Sequence, residues 1–326
     1  MPSGAEVMWM SAAPYFEEQG IEHVLLSVDE EVGPFSGELS SKFEIMHMPI
    51  RKGPWGISQI RRAAKDSRAD VIHCHSEAKG MAAAIAGAMS STPVVRTYHS
   101  IWPSSNLKHR VRRRIEALLC ARIAVGASVQ ATEMRWGPVQ VITNWVEGRW
   151  SKSHRDPSSP IKLVTVCNTS AIKRCDLMIE LVSKHEELDL THIGFDSLGI
   201  FGAQNGLKDR IRSIGPRNDV LDQLGTFDCY VCTSSLEGFG LALMEAGLSG
   251  LPLAIVDAPG VRDMLEYFPE TFMIDLKSDR PFFGLLESIK KQAPFYEREL
   301  PKLADKFSPS RGAQEYSVLY KSLCRP

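Results

Sequence analysis

An α/β fold of two doubly wound, mainly parallel domains is what this 326-residue chain predicts. Three observations carry it. Short apolar, β-branched runs alternate with helical patterns almost throughout, as successive βαβ units require. The rhythm breaks once, over Val146–Pro160, where Gly148, Ser151, Ser153, Pro157, Ser158, Ser159 and Pro160 mix with charged residues in the manner of a linker. It then restarts and continues to the end of the chain. The expected division is an N-terminal domain over 1–147, a linker over 148–160 and a C-terminal domain over 161–326 whose last helix packs back on the first. Two such domains place a ligand cleft between them, at the carboxyl ends of both sheets.

In the first half, strands are expected at His23–Val28, Phe43–Met48, Asp70–Cys74, Pro93–Thr97, Arg122–Val125 and Val139–Ile142. Helical patterns between them cover Ile57–Lys65, Lys79–Met89, Leu107–Leu119 and Val129–Arg135. After the linker, strands are expected at Ile161–Val166, Asp189–Ile193, Ile211–Ile214, Asp228–Val231 and Leu253–Val256. The accompanying helices are Asp176–Lys184, Asp219–Leu224, the apolar run after Gly240, Pro281–Lys291 and Gln314–Leu323. The start is unusual. A Rossmann-like domain normally begins with a strand, whereas this chain enters a helix at Val7–Gln19, so the first strand of the N-terminal domain reads as missing.

Composition narrows the class. Hydrophobic residues make up 44% and charged residues 24%, ordinary for a globular enzyme, and the formal net charge of −1 argues against a dedicated nucleic-acid binder. No apolar run is long enough to span a bilayer, and no signal-peptide pattern opens the chain, so a cytoplasmic protein is expected. The seven cysteines are scattered, which reads as reduced thiols rather than a disulfide framework. Cys229 and Cys232 form a C-x-x-C, but on a strand such positions face opposite ways, so they read as core. His73 and His75 would share a strand face; without a third ligand at a telling spacing they make no metal site.

The most telling segment is Ser234-Ser235-Leu236-Glu237-Gly238-Phe239-Gly240-Leu241-Ala242-Leu243-Met244-Glu245-Ala246. Glu245 is the only ionisable residue in the nineteen positions from Gly238 to Val256. A carboxylate in so apolar a run needs hydrogen-bond donors, and a bound polyol such as a ribose would supply them. The Gly-Phe-Gly turn after Glu237 would expose backbone N–H groups at a helix N-terminus, which favours phosphate. The bland alternative is a buried helix with one internally paired glutamate.

These residues resemble the retaining glycosyltransferases of family four, group 1, over essentially the whole chain. Ser3-Gly4-Ala5-Glu6 is similar to the end of the family's Gly-Gly-Ala-Glu loop. Asp70-Val71-Ile72-His73-Cys74-His75 and Thr97-Tyr98-His99 resemble its next two signatures. Ile123–Ser128 and Val141–Val146 resemble the segments that close that domain, and Glu237 to Glu245 is its E-x7-E motif, continued by Gly250-Leu251-Pro252, Asp257 and Gly260. The resemblance implies a GT-B fold of two facing Rossmann-like domains. The first would bind the acceptor; the second would hold a nucleotide-sugar donor (UDP-, GDP- or ADP-sugar) as substrate, with no cofactor. It implies ribose binding by Glu245 and contact of Glu237 with sugar hydroxyls. The amides around Gly238, Phe239, Gly240 and Leu241 would hold the sugar and diphosphate, Lys173 would pair with the diphosphate, and His99 would meet the donor sugar.

The family's phosphate-binding Gly-Arg is here Cys167-Asn168, so an uncharged amide stands where a cation is usual. Arg174 or Arg217 is the expected replacement, and Gly4 keeps a weak share in phosphate binding. No Asp-x-Asp is found, so the leaving diphosphate would be stabilised without metal, by cations and helix N-termini. Lys108, Arg110, Arg112, Arg113 and Arg114 put five cations within seven positions of one helix, His109 among them on a solvated face. That face would suit peripheral contact with the anionic inner surface of a membrane, and hence a lipid-linked acceptor. The expected activity is retaining transfer of a sugar to a glycan or lipid-linked acceptor in bacterial surface polysaccharide or glycolipid assembly. The alternatives are a nucleotide-sugar epimerase of the same fold and a non-catalytic nucleotide-sugar-binding relative.

Overall fold

The structure is a computed structural model, and it describes residues 4–27, 43–51, 53–102, 106–146, 157, 159–202 and 209–324. Most of the expected linker lies outside the described residues, as do Ser3 and the Val28 end of the first expected strand. Two compact units form: Met1–Trp145 with Pro309–Pro326, and Val146–Ser308. The last helix thus belongs to the first unit.

The first unit opens with helix α1 (Gly4–Glu18), followed by β1 (Val24–Ser27) and β2 (Glu44–His47), which pair in parallel. Next come α2 (Pro54–Asp66), β3 (Ile72–Cys74), α3 (Gly80–Ser90) and β4 (Val94–Tyr98). They are followed by α4 (Leu107–Leu119), β5 (Ala121–Ala124), α5 (Ala127–Glu133) and β6 (Gln140–Val141). Strands β3 to β6 form one parallel sheet in chain order. Every residue of β4 is buried, as expected for a strand covered on both faces.

The second unit holds β7 (Ile161–Val166), α6 (Cys175–Ser183), β8 (Leu188–Ile193) and β9 (Ile211–Ser213). It continues through α7 (Val220–Leu224), β10 (Cys229–Cys232), α8 (Leu241–Leu248), β11 (Leu253–Ile255) and β12 (Phe272–Met273) to α9 (Leu285–Lys306). Its six strands are all parallel, in the order β12-β11-β10-β7-β8-β9. The order reverses beside β7, so the loops after β7 and β10 open at a topological switch point, where doubly wound sheets bind ligands.

Helix α10 (Pro309–Leu323) returns to the first unit. It packs Tyr316 and Tyr320 with Trp9, Phe16 and Trp145 in one core. Gly312 permits the approach, since a Cβ there would lie 2.0 Å from the Trp145 ring. The largest departure from the expected helices is at α9. Helix α9 runs on to Lys306 through Pro294 and Pro301, each of which removes a helical N–H. Burial of Ile289, Tyr296 and Leu300 along that helix outweighs both breakers. Cys229 and Cys232 are both buried in β10.

Candidate functional site

Two loops gather the candidate residues of the second unit. One leaves β7 and runs through Cys167 to Ser170 into a 3-10 turn at Ala171–Lys173, after which Arg174 takes a left-handed conformation (φ 51°) ahead of α6. The other follows β10. The Thr233 hydroxyl lies 3.0 Å from the carbonyl oxygens of both Lys173 and Arg174, and the Ser235 N–H donates to the Ile172 carbonyl at 2.8 Å. Lashed together this way, the loops set Lys173 against Glu237, its Nζ donating to Oε1 at 2.6 Å. Burial would lower the Lys173 ammonium, but the carboxylate outweighs it and holds the pKa above its usual value.

Glu237 leads into the turn that opens α8. Gly240 has φ 72°, a conformation that favours glycine. Gly260 (φ 76°) lies so close beneath the turn that a Cβ there would sit 1.9 Å from the Glu237 carbonyl oxygen. Phe239 is buried, its ring 5.9 Å from that of Phe307. The backbone N–H groups of Gly238, Phe239, Gly240 and Leu241 donate to no described residue, and they stand at the positive end of α8.

Glu245 lies one turn into that helix. No described residue donates a hydrogen bond or an ion pair to its carboxyl, and burial alone raises its pKa from 4.5 to about 7. The internally paired glutamate of the bland alternative is therefore not what forms. The site thus holds two unlike acids: Glu237 paired with a lysine, and Glu245 desolvated and without a partner among the described residues.

The cation expected in place of an arginine at 168 is only partly found. Asn168 is exposed, and its Oδ1 accepts the Ser170 N–H at 3.2 Å in a local turn. Arg217 makes a two-pronged pair with Asp219, at 2.6 and 2.7 Å, which neutralises it and corrects the expectation that it stands in. Arg174 adjoins Lys173 and has no ion-pair partner among the described residues. Sequence reading missed the thiol pair beside it. The Sγ atoms of Cys167 and Cys175 lie 3.6 Å apart, and that contact draws the Cys167 pKa down to about 5. A spacing of eight, from a loop to the first residue of α6, gave no hint of it.

In the first unit, Gly4 is the exposed first residue of α1. His99 follows β4 and is linked to His75, Nε2 to Nδ1, at 2.8 Å. Burial and the nearby Arg96 lower its pKa to about 4, so the ring is neutral at pH 7. His73 contacts Thr97 at 2.8 Å and also Tyr320, which occupies both ring nitrogens. Among the described residues no cluster of His, Cys, Asp and Glu fits a metal ion.

The basic helix needs correcting. Arg113 on α4 is fully buried, paired with Glu116 at 2.9 Å, Glu77 at 2.8 Å and Glu133 at 3.2 Å. Arg112 is half-buried and also pairs with Glu77, and His109 is buried rather than solvated. Lys108, Arg110 and Arg114 remain exposed. Leu107, Val111 and Leu118, spaced to share a face, are exposed by 73%, 49% and 82%.

Comparison with known proteins fits this arrangement. The family described as Glycosyltransferase Family 4 matches residues 2–147, and Glycosyl transferases group 1 matches residues 146–298. The chain is 28% identical over 153 residues to the GtfA subunit of a UDP-N-acetylglucosamine–peptide N-acetylglucosaminyltransferase from Streptococcus pneumoniae, covering 44% of this chain and 28% of that one. It is 23% identical over 186 residues to the O-antigen biosynthesis glycosyltransferase WclY of Escherichia coli, covering 54% of this chain and 51% of the relative. The chain therefore spans about half or less of the length of these curated relatives. Anabaena Alr3699/HepE, solved with UDP and glucose, has the same fold: TM-score 0.79 at 18% identity, covering 99% of this chain and 97% of that one. With both halves matched in order and the paired parallel-sheet units in place, the chain belongs to the glycosyltransferases of the GT-B class.

Proposed function

We propose that the chain moves a sugar, with retention, from a nucleoside diphosphate sugar to a glycan or lipid-linked acceptor in bacterial surface polysaccharide or glycolipid assembly. The observation that carries the reading is Glu245, a desolvated carboxyl without a donor among the described residues, one turn beyond a helix N-terminus whose amides also meet no acceptor among them. Ribose hydroxyls donate to the first; diphosphate oxygens accept from the second. WclY is named for O-antigen biosynthesis, and HepE was solved with UDP and glucose, so a UDP-sugar is the first donor to try.

In this reading Lys173 and Arg174 carry the charge that develops on the leaving diphosphate, where positioned cations lower the barrier most. Glu237 orients Lys173 and accepts from sugar hydroxyls, and His99 contacts the sugar. The bond from the anomeric carbon to phosphate oxygen breaks as the acceptor oxygen bonds from the same face. The acceptor proton passes to the departing phosphate oxygen. No metal is assigned a part, so transfer should persist in EDTA. The exposed face of α4 would rest on an anionic bilayer, its leucines and valine inserted and Lys108, Arg110 and Arg114 against headgroups. Among the described residues no helix is long and apolar enough to cross a membrane.

Asn168 favours one second reading, a protein that binds the nucleotide sugar without transferring it, because position 168 supplies no cation. One experiment separates the two. Thermal stabilisation by UDP, GDP or ADP and their sugars identifies the donor class. Release of free nucleoside diphosphate that depends on added acceptor then supports transfer. Binding without release, across glycan and lipid-linked acceptors, would reject it, and isomerised sugar without acceptor would point to an epimerase.

A further inference from the structure

Histidine 99 ends a chain of hydrogen bonds whose direction is set at its far end. In α1 the buried Trp9 places its indole nitrogen 2.7 Å from His75 Nε2. An indole N–H donates and never accepts, so His75 Nε2 carries no proton. The His75 proton therefore sits on Nδ1, which faces His99 Nε2 at 2.8 Å. His99 Nε2 must in turn accept, and the single proton of its neutral ring is left on Nδ1. No described residue accepts from that nitrogen. The rings that make the chain are held on several sides: His73 lies tilted against His75 with ring centroids 4.0 Å apart, and Trp9 packs edge-on to both. Burial keeps His73, His75 and His99 neutral, which the relay requires.

We propose that Trp9 and His75 are positioning residues that lock His99 as the Nδ1–H tautomer, so that it meets the substrate as a hydrogen-bond donor to a sugar oxygen. This rests on the transfer reading above for its substrate, though the tautomer itself does not. Free imidazoles of histidine favour the proton on Nε2, so the relay holds the ring in its less common form. In that form His99 cannot take a proton from a sugar hydroxyl through the free nitrogen. Its part is to polarise and orient. The arrangement parallels the way a carboxylate fixes the tautomer of a catalytic histidine, except that here the fixing group is a neutral donor.

The test compares four proteins: wild type, Trp9→Phe, His75→Leu and His75→Gln. Phenylalanine keeps the ring packing and loses the N–H; glutamine can accept from Trp9 with its carbonyl and donate to His99 with its amide. Nitrogen-15 NMR of histidine-labelled protein reads the tautomer directly. Wild type and His75→Gln should show a pyrrole-type Nδ1 and a pyridine-type Nε2 at His99; Trp9→Phe and His75→Leu should show loss of that form. Turnover of the UDP-sugar that stabilises wild type should fall by about tenfold to a hundredfold in those two, with KM within about twofold, and recover in His75→Gln. An Nε2–H ring at His99 in wild type overturns the lock. Loss of the tautomer with full turnover overturns its role. A wild-type protein with the Nδ1–H form that transfers no sugar would instead reject the proposed reaction and leave the lock standing.

Discussion

Replacing Glu245 by glutamine should make the protein more stable and a poorer binder, both in a pH-dependent way. Burial lifts the folded-state pKa from 4.5 to about 7, with no donor among the described residues to oppose it. Each pKa unit is worth about 1.4 kcal/mol, so holding this carboxylate ionised costs the folded state roughly 3 kcal/mol. The sign follows from the raised value. The folded chain binds the proton more tightly than the unfolded chain, so stability is intact below pH 4.5 and is lost as pH rises to about 7. Glutamine never ionises. Urea unfolding followed in the second unit should place Glu245→Gln up to roughly 3 kcal/mol above wild type at pH 8, the gap closing as pH falls.

Ligand binding runs the other way. Ribose hydroxyls donate most strongly to the ionised acid, whose two oxygens both accept, so wild-type affinity for UDP should be up to about tenfold weaker at pH 6 than at pH 8. Calorimetry near pH 7 in two buffers of different ionisation heat should register proton release on binding. The variant should bind more weakly, with no release. A stability gap equal at pH 5 and pH 8, or equal UDP affinity in the two proteins, would refute the reasoning.

Four further variants carry expected outcomes. Gly260→Ala would drive a methyl group to 1.9 Å from the Glu237 carbonyl at a φ of 76°, so it should abolish UDP binding and lower the melting temperature, as differential scanning calorimetry would record. Arg113→Ala strips the buried Glu116 and Glu133 of a partner and should destabilise the first unit by about 3–5 kcal/mol in urea, whereas the triple change of Lys108, Arg110 and Arg114 to Ala should leave stability alone. That triple variant should instead lose sedimentation with phosphatidylglycerol vesicles; unchanged binding would reject the α4 surface. Lys173→Ala should slow cleavage of the sugar–phosphate bond by at least about a hundredfold in a single turnover, and an unchanged rate would remove Lys173 from the site.

The alternating fold was legible because buried parallel strands advertise themselves as apolar runs. Strands such as Ile161–Val166 could be placed to the residue. Helix ends were less so: the helix expected to end at Lys291 runs on to Lys306, and only the packing of Tyr296 and Leu300 shows why it continues past Pro294 and Pro301. The second unit's site was legible where one residue stood out chemically from its neighbours, as Glu245 does. It was illegible where partners are far apart in sequence. Nothing in the pattern of α4 tells Arg113 from Arg114, yet one is buried among three glutamates and the other exposed. The histidine relay was hidden for the same reason: Trp9, His75 and His99 come from three elements, and a list of residue types carries no direction of donation.

The return of α10 to the first unit has a consequence for how the chain is made. Residues 146–308 are contiguous and can close their sheet as soon as the ribosome has released them. The first unit cannot, because Trp145 meets Gly312 and Tyr316 only after the last helix emerges. The half synthesised first therefore finishes maturing second, and a chain truncated before Pro309 would expose the Trp9, Phe16 and Trp145 rings to chaperones while its other half has all the residues it needs to close.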